Sequence, residues 1–181
     1  MANQKYLDLL KENKHNVGVV NSSFAKEIVN GAVATVDMDN YTLVEFDGFD
    51  AEGNRKCKPL TASNVKGLIV STIEEESIFG EEVYQGGYND FFNAQGEMVK
   101  LTVLEPYVRF EVSNFTGDAS VGAYAYYDHS TKKFTCVAEP DATMKAAANQ
   151  FLIVGKDTDF GANIGIPTIR LEVLPELIVG E

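Results

Sequence analysis

Apolar and polar residues alternate with a period of two along much of the chain after Gly31. In the segment 108–112, Val108, Phe110 and Val112 are apolar and the residues between them are charged, as in a strand with one buried face. Similar short runs of strand-favouring residues, such as 41–46, are separated by turn residues. Short strands at intervals of roughly 8–12 residues predict a mainly β fold, either a β-barrel or a β-sandwich.

Two segments depart from this pattern and predict short helices. In residues 1–30, Ser22-Ser23 before Phe24 is typical of a helix start, and Asn30-Gly31 is typical of a helix end. The second segment, Ala142 to Gln150, is rich in alanine. The apolar residues of the first segment form two short clusters: Tyr6, Leu7, Leu9 and Leu10, then Phe24, Ile28 and Val29.

The predicted organisation is one β domain with an extension at each end. Residues 1–30 form an N-terminal arm or helical extension, residues 31–174 the β-barrel or β-sandwich domain, and residues 175–181 a C-terminal tail. Two arrangements of the arm stay open, packing on its own domain or reaching a neighbour. The apolar Leu177-Ile178-Val179 indicates that the tail docks on the domain or on a neighbour.

The charge balance bears on partners and location. The formal net charge is −12, which opposes binding to nucleic-acid phosphates. The chain has no run of about 18 apolar residues that could span a bilayer and no apolar stretch near Met1 typical of a signal peptide. We therefore expect synthesis and assembly in a cytoplasm, without nucleic-acid or membrane binding.

The residues suited to catalysis do not form a recognisable pattern. His129 lies between Asp128 and Ser130, but adjacent loop side chains do not converge into a Ser-His-Asp relay, and no Gly-x-Ser-x-Gly occurs. A hydrolase with two carboxylates is the third function considered, because an acidic chain offers candidates for such a pair. We expect a protein that is not an enzyme.

Metal and cofactor motifs are also incomplete. Asp37-x-Asp39-Asn40 resembles the start of a calcium loop, but Thr42 and Gly48 stand where glycine and glutamate are needed. Cys57 and Cys136 lack motif spacing and are interpreted as small core residues, although a disulfide between them stays open. We expect neither metal nor cofactor.

The aromatic residues supply candidates for partner binding. Strand alternation places Tyr124 and Tyr126 on one face and Tyr127 on the other. Tyrosine is enriched at protein interfaces, yet a core or rim strand would show the same pattern. The predicted partner-binding residues are Tyr6, Leu9, Leu10, Phe24, Ile28, Tyr124 and Tyr126.

Three stretches, Gly31–Val36, Gly67–Val70 and Val121–Asp128, resemble the glycine-led small strands of tailed-bacteriophage head decoration, cement and minor capsid proteins. The resemblance is one of style across residues 31–174. It implies a β-barrel or β-sandwich that binds the outside of an assembled shell, often as a trimer or at symmetry-related sites.

The leading prediction is therefore a virion structural protein that stabilises the phage capsid. Its partners would be the major capsid protein or other virion proteins, and the chain would form a homo-oligomer, with a trimer as one option. The alternative is a phage fibre or tail component that binds a carbohydrate or a cell-surface ligand; the absence of Trp makes sugar stacking depend on Tyr or Phe.

Overall fold

The computed structural model describes residue 16 and residues 18–71, 93–156 and 167–180. These residues form strands with one short helix, which confirms the mainly β fold. The elements are β1 (Gly18–Val20), β2 (Glu27–Ala34), β3 (Leu43–Phe49), β4 (Arg55–Pro59), β5 (Leu68–Val70), β6 (Met98–Val103), β7 (Arg109–Val112), β8 (Phe115–Thr116), β9 (Tyr124–Asp128), β10 (Lys133–Val137), α1 (Ala142–Ala146), β11 (Gln150–Lys156) and β12 (Ile169–Val173).

The strands divide between a closed barrel and an open sheet. The barrel has five strands in the order β2-β4-β3-β5-β6, and β6 closes it by pairing with β2. The open sheet has seven strands in the order β1-β7-β12-β11-β9-β10-β8. Among the described residues, its edge strands β1 and β8 have three and two residues, so these strands leave only a short row of unpaired backbone groups.

The barrel strands β3 and β5 connect the two bodies, because each has two consecutive buried residues that face opposite sides. Leu43 and Ile69 belong to a core shared with the open sheet. Their chain neighbours Val44 and Val70 point the other way, into the core of the barrel. The side-chain alternation along a strand therefore assigns consecutive residues to two different cores.

The core under the open sheet is built from aromatic side chains. Phe134 lies at its centre, with ring centroids 5.1 Å from Tyr127, 5.4 Å from Phe151 and 5.6 Å from Phe110. The rings meet edge-on or tilted, which is the preferred geometry for aromatic pairs. Each of these residues sits at an inward position of a different strand, which is the arrangement that the alternation predicts for β7 and β9.

The barrel core contains smaller residues. Five strands enclose a narrow interior, so the inward positions favour compact side chains. The buried residues of this core are Ala32, Ala34, Met38, Val44, Cys57, Val70, Val99 and Leu101.

The helix predicted from Phe24 to Val29 is wrong. Ser22 accepts a hydrogen bond from the backbone of Ala25, which forms a turn, and β2 begins at Glu27. Glu27 and Ile28 pair with β6, and this long-range ladder outweighs the local capping signal. The boundary drawn between residues 30 and 31 consequently falls inside β2. Residues 1–15, including the rest of the predicted arm, lie outside the described residues.

The second helix prediction is correct in place but too long. Asp141 caps α1 by accepting a hydrogen bond from the Met144 amide at 2.7 Å. The helix ends at Ala146, and Gln150, which the sequence assigned to the helix, is the first residue of β11. Strand pairing with β9 and β12 again sets the boundary.

Candidate functional site

Two of the predicted partner-binding residues, Tyr124 and Tyr126, lie together on the outer face of the open sheet. Both are half-buried, whereas Ala125 and Tyr127 point into the core, so the predicted division of faces is confirmed. Their cross-strand neighbours continue the same face, since directly paired residues share a side of a sheet. We call the following set the tyrosine face: Tyr124, Tyr126, Thr135, Val137 and Leu152.

The register of the sheet orders these residues into two rows. Tyr124 is paired with Val137 on one side and with Leu152 on the other. Tyr126 is paired with Thr135 and with Gln150. The first row is apolar apart from the tyrosine hydroxyl, and the second is polar. Side chains that combine apolar area with a polar tip are typical of interfaces that remain wet before binding.

The Tyr126 hydroxyl is held in its neutral form. Partial burial, more than the nearby carboxylate of Asp141, raises the pKa of Tyr126, while its hydrogen bond with Thr135 has the opposite effect. At neutral pH the group therefore serves as a hydrogen-bond donor and acceptor.

Of the other predicted partner-binding residues, the structure describes Phe24 and Ile28, and neither belongs to the strands of this face. Phe24 lies in the turn between β1 and β2 with 56% of its surface exposed. Ile28 is half-buried in β2 and packs against the barrel core, so it cannot share a helix face with Phe24. Tyr6, Leu9 and Leu10 lie outside the described residues.

A second exposed aromatic residue near Phe24 was not predicted. Tyr107 is 57% exposed and has a left-handed backbone, with φ 67°, which is uncommon for an aromatic residue. Its turn is joined to the turn of Phe24 by the Lys26–Glu105 ion pair at 2.6 Å. Ser22 Oγ also accepts a hydrogen bond from the Arg109 amide at 2.7 Å. Pro106 marked a break between strands in the sequence, but no local signal indicated the left-handed residue after it.

The groups considered for catalysis have other contacts. His129 Nδ1 lies 2.8 Å from Ser63 Oγ, a residue distant in the sequence. The Asp128 carboxylate accepts hydrogen bonds from Ser130 and Thr131 within its own loop. These four contacts join residues within the β9–β10 loop and connect the loop to the segment after β4.

The carboxylates of the incomplete calcium motif serve as backbone acceptors. Asp37 accepts a hydrogen bond from the Gln95 amide at 2.8 Å, and Asp39 accepts from the amides of Asn16 and Asn40. Within the described ranges, no three His, Cys, Asp or Glu residues are grouped as metal ligands. The acidic stretch at residues 74–82 and the further tyrosines Tyr84 and Tyr88 lie outside those ranges.

The two cysteines are free and buried, as interpreted from the sequence. Cys57 belongs to the barrel core and Cys136 to the core under the sheet. Burial raises the pKa of each thiol to about 11. Thiols with so high a pKa are poor nucleophiles at neutral pH, so both residues act as packing groups.

The part of the chain that the structure describes contains no helix with the length and hydrophobicity to cross a lipid bilayer.

Comparison with known proteins gives the origin of the chain. No solved structure matches the chain. A family model described as the YonC prophage protein matches residues 11–174. The chain is also 33% identical, over 96% of its length and 99% of the relative, to the SPbeta prophage-derived uncharacterized protein YonC of Bacillus subtilis (strain 168). The chain therefore belongs to the YonC prophage protein family.

Proposed function

We propose that this prophage protein is a virion structural protein that binds the assembled capsid as a head decoration, cement or minor capsid component. In this role it contacts the major capsid protein or other virion proteins, forms a homo-oligomer and stabilises the shell. It needs no cofactor and binds neither nucleic acid nor membrane. The prophage family supports a phage origin, and the capsid role is our own step beyond it.

The observation that carries the proposal is the tyrosine face. Tyr124 and Tyr126 place half-buried rings beside Val137 and Leu152 on a rigid sheet. A side chain held by strand pairing loses little conformational freedom on binding, and Tyr is among the residues enriched in interface hot spots. A shell presents the same partner surface many times, so a modest contact per copy gains strength through avidity when the protein is oligomeric.

The first experiment asks whether the protein is present in virions. The prophage is induced, particles are purified through a density gradient, and their proteins are identified by mass spectrometry. We expect the chain in the particle fraction at a copy number related to the capsid symmetry. Its absence from purified particles, with abundant protein in the lysate, would reject the proposal.

The second experiment tests the tyrosine face. Particles assembled without this chain are incubated with purified full-length protein and sedimented. Tyr124→Ala and Tyr126→Ala are each expected to weaken binding about thirtyfold, because truncation of an interface hot spot costs about 2 kcal/mol.

Phe49→Ala is the matched control, since Phe49 is an aromatic residue with 64% exposure on the barrel. It should leave binding within about twofold of the unchanged protein. Equal binding by all three variants would exclude the tyrosine face. Binding to host glycans or cells instead of particles would favour the fibre or tail component.

A further inference from the structure

The C-terminal segment, residues 175–180, is held on its own chain through one side chain, Gln150. Gln150 is 2% exposed, and its Oε1 accepts a hydrogen bond from the Ile178 amide at 2.8 Å. Its Nε2 donates to the Ile178 carbonyl at 3.0 Å. Both bonds go to one residue, as in a hydrogen-bonded pair of an antiparallel ladder. The side-chain amide therefore acts in place of a neighbouring strand.

The other contacts of Gln150 hold its amide in position. The two N–H groups of Nε2 are shared among three carbonyls, since Nε2 also lies 2.9 Å from the carbonyl oxygens of Met144 and of Ala147 at the end of α1. The end of α1 therefore holds the side-chain amide of Gln150 in a fixed position. Among the described residues of the C-terminal segment, this amide binds backbone atoms and no side chain. Any extended segment with a free N–H and C=O at the right residue can make the same pair of bonds.

The segment lies in a largely apolar groove beside Gln150. A pocket of about 100 Å³ opens between the segment and the body; the body lines it with Leu104, Phe151 and Val173, and the segment lines it with Pro175 and Leu177. The groove therefore favours an apolar segment.

The attachment of the segment to its own chain is weak. Among the described residues, the hydrogen bonds of residues 175–180 are the two with Gln150. Leu177 and Val179 stay 51% and 69% exposed. Val173 is the last residue of the core, and Pro175 follows with no N–H to continue the ladder. The segment can therefore leave the groove without opening the core.

From these contacts we infer that the groove beside Gln150 is a peptide-binding site that also takes the C-terminal segment of a second copy of this chain. Exchange preserves the two bonds to Gln150, and it brings a second body beside the exposed Leu177 and Val179. The segment of the same chain competes at a high effective concentration, so exchange requires a high concentration of copies. The inference is tested on the isolated chain without particles, so its outcome is distinguishable from that of capsid binding, although Gln150 is the cross-strand neighbour of Tyr126.

Energy transfer between dyes on the full-length chain provides the test. Gly180→Cys carries a donor dye on the segment, and Ala146→Cys carries an acceptor dye on the exposed end of α1. Cys57 and Cys136 are buried and remain unlabelled in the native protein. A doubly labelled chain reports docking on its own body, and a mixture of singly labelled chains reports exchange.

We expect transfer between singly labelled chains that rises with protein concentration. Ile178→Pro removes the N–H that binds Gln150 in either arrangement, so docking on the same chain and on a second copy should both weaken roughly tenfold. Transfer within the doubly labelled chain and transfer between singly labelled chains should therefore fall together. Val179→Pro is the matched control, because it introduces the same residue one position later and keeps the Ile178 amide. It should exchange like the unchanged chain.

Two outcomes would overturn the inference. The first is no energy transfer between chains at millimolar concentration while the doubly labelled chain shows a docked segment. In that case the segment docks only on its own chain. The second is equal transfer between Ile178→Pro and between Val179→Pro chains although the doubly labelled Ile178→Pro chain has lost its docked segment, which locates the association at another surface. Neither variant alters a core residue, so both should fold.

Discussion

The barrel and the open sheet each bury an apolar core, but they fill it with side chains of different size. The barrel closes on itself and fills a narrow interior with residues such as Ala32, Ala34 and Val44. The sheet has two edges and fills the space beneath it with large rings such as Phe134 and Phe151. Closure removes strand edges but limits the volume of the core, whereas an open sheet accepts large residues and needs another surface to cover them.

The covering surface is the barrel itself. Leu43 and Ile69 project from the outside of the barrel into the aromatic core, while Val44 and Val70 fill the inside. The two bodies therefore share one core through residues of β3 and β5, and the sheet cannot bury its rings without the barrel. We expect a single cooperative unfolding transition, because loss of the barrel would expose the aromatic core.

The largest effect should come from the aromatic core. Phe134→Ala removes a fully buried ring that contacts three others, and we expect it to lower the free energy of unfolding by about 3–5 kcal/mol. Urea denaturation followed by circular dichroism measures the change. A loss below about 1 kcal/mol would mean that the ring cluster contributes far less than its burial implies.

An opposite change tests the narrow interior of the barrel. Ala34→Leu adds volume where Ala34 is 1% exposed, and overpacking should cost about 1–3 kcal/mol. Ala51→Leu, at an exposed position of the β3–β4 turn, is the control and should change stability by less than about 0.5 kcal/mol. Equal free energies of unfolding for Ala34→Leu and Ala51→Leu would show that the barrel interior can accommodate a larger side chain.

The smallest expected effect compares the two cores through their thiols. Burial raises the pKa of Cys57 and Cys136 from 9.0 to about 11 in the folded chain. Between these values the unfolded chain loses thiol protons that the folded chain keeps, so stability falls as pH rises from 9 towards 11. Below that window the two thiols stay protonated in both states, and their contribution is constant.

By pH 10 each thiol should account for about 1 kcal/mol of this loss. Denaturation of the unchanged chain and of Cys57→Ala and Cys136→Ala across the window isolates the two contributions. A variant whose stability declines as steeply as that of the unchanged chain would show that the replaced thiol does not titrate differently on folding.

Much of the sheet could be predicted from the sequence because strand alternation is local. The break at Pro106, the buried positions of Val108, Phe110 and Val112, and the division of Tyr124 and Tyr126 from Tyr127 agree with the structure. The predicted wet face of β7 is only partly correct, because Glu111 is buried against Arg170. The sequence signals that gave wrong predictions were those for the start and the end of helices. Ser22-Ser23 has the chemistry of a helix cap, yet the residues after it pair with β6, which is more than 70 positions away in the chain.

The candidate site could be predicted only in part. Tyr124 and Tyr126 were identified, because alternation along one strand suffices to place them on one face. Val137 and Leu152 were missed, since they join that face through the registers of β10 and β11. Gln150 was assigned to a helix, so its hydrogen bonds with Ile178 had no counterpart in the sequence pattern.

The amino-acid sequence by itself determined the β class, the acidic charge and which face of most strands is buried. The charge depends on residue type alone, and the β class and the buried faces depend on residue type and on a period of two. None of the three requires knowledge of distant partners. Only the tertiary structure decided that the strands divide into a closed barrel and an open sheet, and that Leu43 and Val44 serve different cores. The physical reason is that strand order and register arise from pairing between distant segments, whose choice depends on how all the buried faces fit together.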